Sequence, residues 1–149
     1  MELILWRHAD AEDRVPDEAR ALTAKGEKQA RRVAAWLKKQ LPKGARVLAS
    51  PAKRAQQTAR ALTRQFETCV EIGTSAGPQS ILDAAGWPDG DATVVVVGHQ
   101  PTLGQAAALA VTGKPGEWSL KKGALWWLES RGRGEVVTRA VISPDMLQR

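Results

Sequence analysis

The chain contains two histidines, and each comes directly after a run of apolar residues. His8 follows Leu3-Ile4-Leu5-Trp6 and Arg7, and His99 follows Thr93-Val94-Val95-Val96-Val97-Gly98. A buried strand that ends in a cation beside an imidazole brings anion-binding charge and a nucleophile to one spot. A third strand-like run, Arg46-Val47-Leu48-Ala49, leads through Ser50-Pro51 to Arg54. Arginine offers a forked, permanently charged donor that matches phosphate oxygens. Imidazole can attack phosphorus or donate to its oxygens. Arg7, His8, Arg54 and His99 are therefore the candidate site of a phosphate-transferring enzyme.

Positioning these residues calls for strands alternating with helices. After the first strand comes a polar loop, residues 9–21, that carries Asp10, Glu12, Asp13, Asp17 and Glu18. Asp10 is a candidate general acid, with a solvated loop charge as the alternative. Carboxylates repel phosphate, so at most one of the loop's acids can point inward. Thr23 is the expected N-cap of a helix over about 24–41, with Ala30, Val33, Ala34, Leu37 and Leu41 as its buried stripe. Ser50 is the expected cap of a second helix opened by Pro51, and Ala55, Thr58, Ala59, Leu62 and Phe66 are its inner face. Arg54 falls in its first turn, where the helix dipole already favours anions.

Cys69-Val70-Glu71-Ile72 reads as a third strand, and a short helix is expected at 78–85. The fourth strand, Val94–Val97, is apolar throughout, as a strand covered on both faces should be. Gly98 permits a close backbone approach there. An apolar helix follows over about 103–111. Two β-rich segments, Ala124–Glu129 and Glu135–Ile142, are joined by Ser130-Arg131-Gly132-Arg133-Gly134, a hairpin signal. The pattern predicts an α/β domain with a mostly parallel sheet. Ligands of such sheets bind beyond the carboxyl ends of the strands, which is where Arg7-His8, Arg54 and His99 fall.

The 149 residues suit a single domain spanning 1–149, with 43% apolar and 26% charged residues. No apolar run approaches the roughly 18–20 residues of a membrane span. The start, Met1-Glu2-Leu3, lacks a basic n-region and a cleavage site, so a cytoplasmic protein is expected. One cysteine, Cys69, precludes an internal disulfide or a cysteine-based zinc cluster, and neither a metal nor another cofactor is expected. The net charge of +6 implies an anionic partner. A noncatalytic nucleic-acid-binding domain is the competing class. It would need exposed Trp for stacking, whereas Trp6, Trp126 and Trp127 sit in apolar runs suited to a core.

Four stretches carry a resemblance. They are Leu5-Trp6-Arg7-His8-Ala9-Asp10-Ala11, Leu22-Thr23-Ala24-Lys25-Gly26, the run from Val47-Leu48-Ala49-Ser50-Pro51 to Arg54-Ala55-Gln56-Gln57-Thr58-Ala59, and Val97-Gly98-His99-Gln100-Pro101-Thr102-Leu103-Gly104. In order and spacing they resemble the histidine phosphatase, or phosphoglycerate mutase-like, superfamily, and within it the small SixA-type phosphohistidine phosphatases. The resemblance implies a three-layer α/β/α fold with a six-stranded mixed sheet ordered 3-2-4-1-5-6, strand 5 being antiparallel. It implies that His8 is the nucleophile and becomes phosphorylated, and that Arg7, Arg54 and His99 bind the phosphoryl oxygens. The substrate would be a phosphohistidine on a signalling or phosphocarrier protein; a small phosphate ester is the alternative.

Two departures stand out. The family's glycine after the histidine is Ala9 here. The region after strand 3, where many relatives place a glutamate general acid, reads Gly73-Thr74-Ser75-Ala76-Gly77-Pro78, without a carboxylate. A phosphorylated imidazole whose other nitrogen is protonated departs as a neutral ring. A site without an acid therefore suits phosphohistidine better than a sugar phosphate.

Overall fold

In the computed structural model, which describes residues 1–147, the strands sort their side chains by parity. Strand β1 (Glu2–Arg7) sends Leu3 and Leu5 to one face and Ile4 and Trp6 to the other. Strand β4 (Thr93–Gly98) does the same with Val94 and Val96 against Val95 and Val97. All eight side chains are essentially inaccessible to solvent, which explains the unbroken apolar runs. Each face therefore needs its own cover of helices.

Helices α1 (Ala24–Gln40) and α2 (Lys53–Leu62) cover the Ile4/Trp6 face, packing Val33, Ala34, Leu37, Ala55 and Ala59 against it. Helices α3 (Pro78–Ala85) and α4 (Thr102–Thr112) cover the other face with Ile81, Leu82, Leu103, Ala106 and Ala107. The remaining strands are β2 (Arg46–Ala49), β3 (Glu67–Thr68), β5 (Leu125–Ser130) and β6 (Val136–Ile142). The sheet runs β3-β2-β4-β1-β5-β6. Its first four strands pair in parallel, and β5 is antiparallel to both β1 and β6. This three-layer, six-stranded arrangement is the one expected. Among the described residues no helix is long and apolar enough to cross a membrane.

Thr23 caps α1 as predicted, its side chain accepting from the backbone N–H of Gly26 at 3.0 Å. Gly26 is needed for a different reason. A Cβ there would lie 1.9 Å from the carbonyl oxygen of Asp10, so only glycine lets α1 start against the segment that follows His8.

Two local expectations need correction. Helix α2 begins at Lys53 with Ala52 as its N-cap, not at Pro51 behind Ser50; the Ser50 hydroxyl accepts the Ala52 N–H and also meets the ring of His99. The helix stops at Leu62, so Phe66 lies beyond it and packs half-buried from the approach to β3. The third strand is Glu67–Thr68; residues Val70–Ile72 form a 3-10 turn. Strand pairing ends with Cys69 N–H donating to Ala49 at 2.9 Å. The chain then turns inward, burying Ile72 and leaving Val70 73% exposed.

Candidate active site

The parallel pairing of β1 with β4 sets Arg7 opposite Gly98, so both histidines leave the sheet side by side at its carboxyl edge. The His8 backbone N–H donates to the Gly98 carbonyl at 3.0 Å, and the two imidazole centroids are 5.2 Å apart. Both rings are buried. Arg54, also buried, reaches in from the first turn of α2, and its Nε donates to His8 Nε2 at 3.3 Å. Three segments far apart in sequence thus meet as expected.

His8 is held in one tautomer. Its Nδ1 lies 2.8 Å from the carbonyl oxygen of Ala9, which can only accept, so the proton sits on Nδ1. The lone pair is then on Nε2, facing Arg54. Burial, with further contributions from His99, Arg54 and Arg7, outweighs the pull of the Ala9 carbonyl and lowers the His8 pKa to about 3. At neutral pH the ring is uncharged.

His99 is fixed from its other side. Its Nε2 lies 2.8 Å from the Ser50 hydroxyl, which also accepts the Ala52 N–H at 3.2 Å. When the hydroxyl donates its proton to Nε2, the His99 proton sits on Nδ1, the tautomer that can donate to a bound anion. That buried nitrogen has no partner among the described residues, and neither does Arg7 Nε. Unsatisfied buried donors are costly unless a ligand completes them. Burial first, then Arg54, Arg7 and Arg20, lower the His99 pKa to about 4 against the opposing charge of Asp17.

Ser50 was not singled out as a site residue from the sequence, where it reads as a helix cap. Ser50→Ala is expected to lower kcat/KM about tenfold, the worth of one lost hydrogen bond, without unfolding the chain. It should also mix the His99 tautomers, which 15N NMR of the ring reads directly. An unchanged Nδ1–H tautomer would show that Ser50 does not position the ring.

The segment before β5 wraps the same strand end. Arg7 Nη1 donates to Leu120 O at 2.8 Å, Trp6 Nε1 to Gly123 O at 2.9 Å, and Gly123 N–H to His8 O at 3.0 Å. Ala9 N–H donates to Thr58 Oγ1 at 3.1 Å, and its methyl is buried with Leu22 and Ala30. Alanine in place of the family's glycine therefore fills a small apolar niche. Gly98 is not sterically required: a Cβ there would make ordinary contacts at 3.6 Å and beyond.

The acidic loop contributes differently from Asp10 and from Asp17. The Asp10 carboxylate accepts from Thr23 Oγ1 at 2.7 Å and from Lys122 Nζ at 2.9 Å. Those bonds, Lys122 first, hold it below the usual carboxylate range, the opposite of what a proton donor needs. Asp17, not singled out in advance, comes to Arg54, with its carbonyl accepting from Nη1 at 2.8 Å and its carboxylate from Nη2 at 3.1 Å. Partial burial works to raise its pKa, but bonds from Arg20 and Arg54 win, and Asp17 too stays ionised. A buried guanidinium requires a counter-charge, and that requirement was the available signal.

Residues 3–77 match the model of the histidine phosphatase superfamily (branch 1). Phosphohistidine phosphatase SixA of Escherichia coli is 33% identical over 121 residues, covering 72% of this chain and 73% of that one. An uncharacterized protein of Picosynechococcus is 35% identical over 141 residues, 87% of this chain and 86% of its own. The solved structure of the protein histidine phosphatase SixA complexed with tungstate superposes with a TM-score of 0.83 at 28% identity, covering 99% of this chain and 100% of that one. With a phosphoglycerate mutase-like sheet and two buried histidines at its carboxyl edge, this chain belongs to the histidine phosphatase superfamily.

Proposed function

We propose that this chain is a cytoplasmic, metal-independent phosphohistidine phosphatase that passes the phosphoryl group to His8 and then to water. The observation that carries this reading is the fixed His8 tautomer: Nδ1–H on Ala9 O and a free pair on Nε2 beside Arg54. A neutral, buried imidazole whose lone pair faces a guanidinium suits attack on phosphorus. Tungstate, held by the SixA protein of similar structure, is a tetrahedral oxyanion like phosphate.

The first step forms the bond from His8 Nε2 to phosphorus and breaks the phosphorus–nitrogen bond of the substrate. Charge on the three equatorial oxygens is met by Arg7 Nε and a His99 Nδ1–H, which have no partner among the described residues, and by Arg54, which otherwise bonds His8 and Asp17. The guanidiniums supply the neutralisation that a metal supplies elsewhere. The arriving phosphoryl group competes with Asp17 for Nη2 of Arg54. The substrate imidazole, protonated on its distal nitrogen, leaves as the neutral ring. Water then breaks the His8–phosphorus bond, releasing inorganic phosphate and restoring His8 with its proton still on Nδ1.

No step in this sequence requires a carboxylic acid, which agrees with ionised Asp10 and Asp17 and with the lack of a carboxylate over residues 73–78. An alkoxide leaving group would need such a donor. The test is rapid-quench turnover of a phosphohistidine peptide against 3-phosphoglycerate. The expected result is acid-labile, alkali-stable phosphate on His8 with the peptide, and a kcat/KM about a hundredfold or more above that for the ester. Equal turnover of the ester would overturn the phosphohistidine reading.

A further inference from the structure

The chain's positive charge is concentrated beside the site. A cleft of about 420 Å³ lies between α1 and the segment before β5. Lys25, Lys28 and Arg32 line one side and Lys121 and Lys122 the other, against a single lining carboxylate among the described residues, Asp145. All five cationic residues are exposed. Lys122 pairs with Asp10 at 2.9 Å, and Lys121 lies 4.0 Å from Asp145. Among the described residues no carboxylate comes within ion-pair distance of Lys25, Lys28 or Arg32.

The spacing of those three cations, i, i+3 and i+7, puts them in one row along α1, about 10 Å from end to end at 1.5 Å per residue. Like charges in a row work against the helix that carries them. An anionic ligand would turn this cost into binding energy and speed encounter. The lining of the cleft is hydrogen-bonded to the segments that carry the catalytic residues. Gln29, part of its floor, accepts the Asp10 backbone N–H at 2.9 Å, and the segment that carries Lys121 and Lys122 also bonds Arg7 and His8.

We propose that this cleft docks an acidic surface of the phosphoprotein substrate, next to the phosphohistidine that enters the site. The inference rests on the phosphohistidine reading above and adds the charge of the partner's surface. A single phosphoryl group is already matched by Arg7, Arg54 and His99. The additional cations therefore address anionic groups outside the reacting phosphate, spread over a length that suits several carboxylates.

The test uses two phosphohistidine peptides of equal length, one flanked by Asp and Glu and the other by Asn and Gln, together with N-phosphorylimidazole. Wild type should prefer the acidic peptide about tenfold in kcat/KM, mainly through KM, and lose the preference near 0.5 M salt, where charges are screened within a few ångströms. Lys28→Glu/Arg32→Glu should abolish the preference at low salt and leave phosphorylimidazole turnover unchanged. A preference that is absent in wild type, or that survives charge reversal, overturns the docking surface alone. Failure of wild type on both peptides and phosphorylimidazole, with 3-phosphoglycerate turned over, overturns the phosphohistidine reading and the docking surface with it. Equal use of both peptides, with oligonucleotide binding that the double variant loses, makes the cleft a nucleic-acid surface and overturns the proposal.

Discussion

Replacing His8 with asparagine is expected to lower turnover of a phosphohistidine peptide by at least ~10³-fold and to leave no alkali-stable phosphate on the chain. Asparagine can present an N–H near the position of Nδ1, keeping the bond to Ala9 O, but has no nucleophilic pair where Nε2 stands. The phosphoryl donors Arg7, Arg54 and His99 remain, so residual activity should resemble that of a binding pocket without covalent catalysis. The fold should persist, since Ala9 N–H still reaches Thr58 and Gly123 N–H still reaches the carbonyl of residue 8. Circular dichroism and a urea melt at neutral pH check that point. Turnover within tenfold of wild type in a folded His8→Asn chain would mean that phosphate passes directly to water, and the covalent route would be abandoned.

What the sequence revealed of this site follows from which interactions are local. The runs before His8 and His99 are apolar on both parities, and this alone marks central strands of a covered sheet. Parallel pairing then brings the strand ends together, so residues that follow such runs are neighbours without any knowledge of loops. Ser50, Asp17 and the end of β3 were not legible in this way. Ser50 has the residue type of a helix cap and does accept the Ala52 N–H, but its role in the site comes from the ring of His99, 49 positions away. Asp17 sits in a stretch with no periodicity, where five acids look alike until one of them meets Arg54. Val70 and Ile72 have strand-forming side chains, yet the chain gains more by tucking Ile72 under the carboxyl edge than by extending a pair at the sheet margin. In each case the deciding contact is long-range and polar or one-sided, and propensity carries no trace of it.

Burial of two neutral imidazoles also sets how the fold responds to acid. In the unfolded chain each histidine takes up a proton near pH 6.5, whereas the folded values are about 3 for His8 and about 4 for His99. The unfolded state therefore binds more protons as pH falls below 6.5, and stability must drop with it. Their contribution is fully intact above 6.5 and declines until the folded rings themselves titrate. At 1.36 kcal/mol per pH unit, each ring would cost the fold roughly 3 kcal/mol by pH 4, a large share of a typical domain's stability. Asp10 and Asp17, whose folded values are depressed, act in the same direction at the lower end of that range. Urea unfolding at pH 7, 5.5 and 4 should show the wild type losing stability steeply. His8→Asn should lose about 3 kcal/mol less over the same interval, whatever its stability at pH 7. The slope isolates the titrating ring, because a cavity or a lost contact shifts all three values equally. Parallel slopes for the two chains would mean that His8 takes up its proton near pH 6.5 in the folded protein as it does in the unfolded one, and that burial does not hold the ring neutral through the acid range.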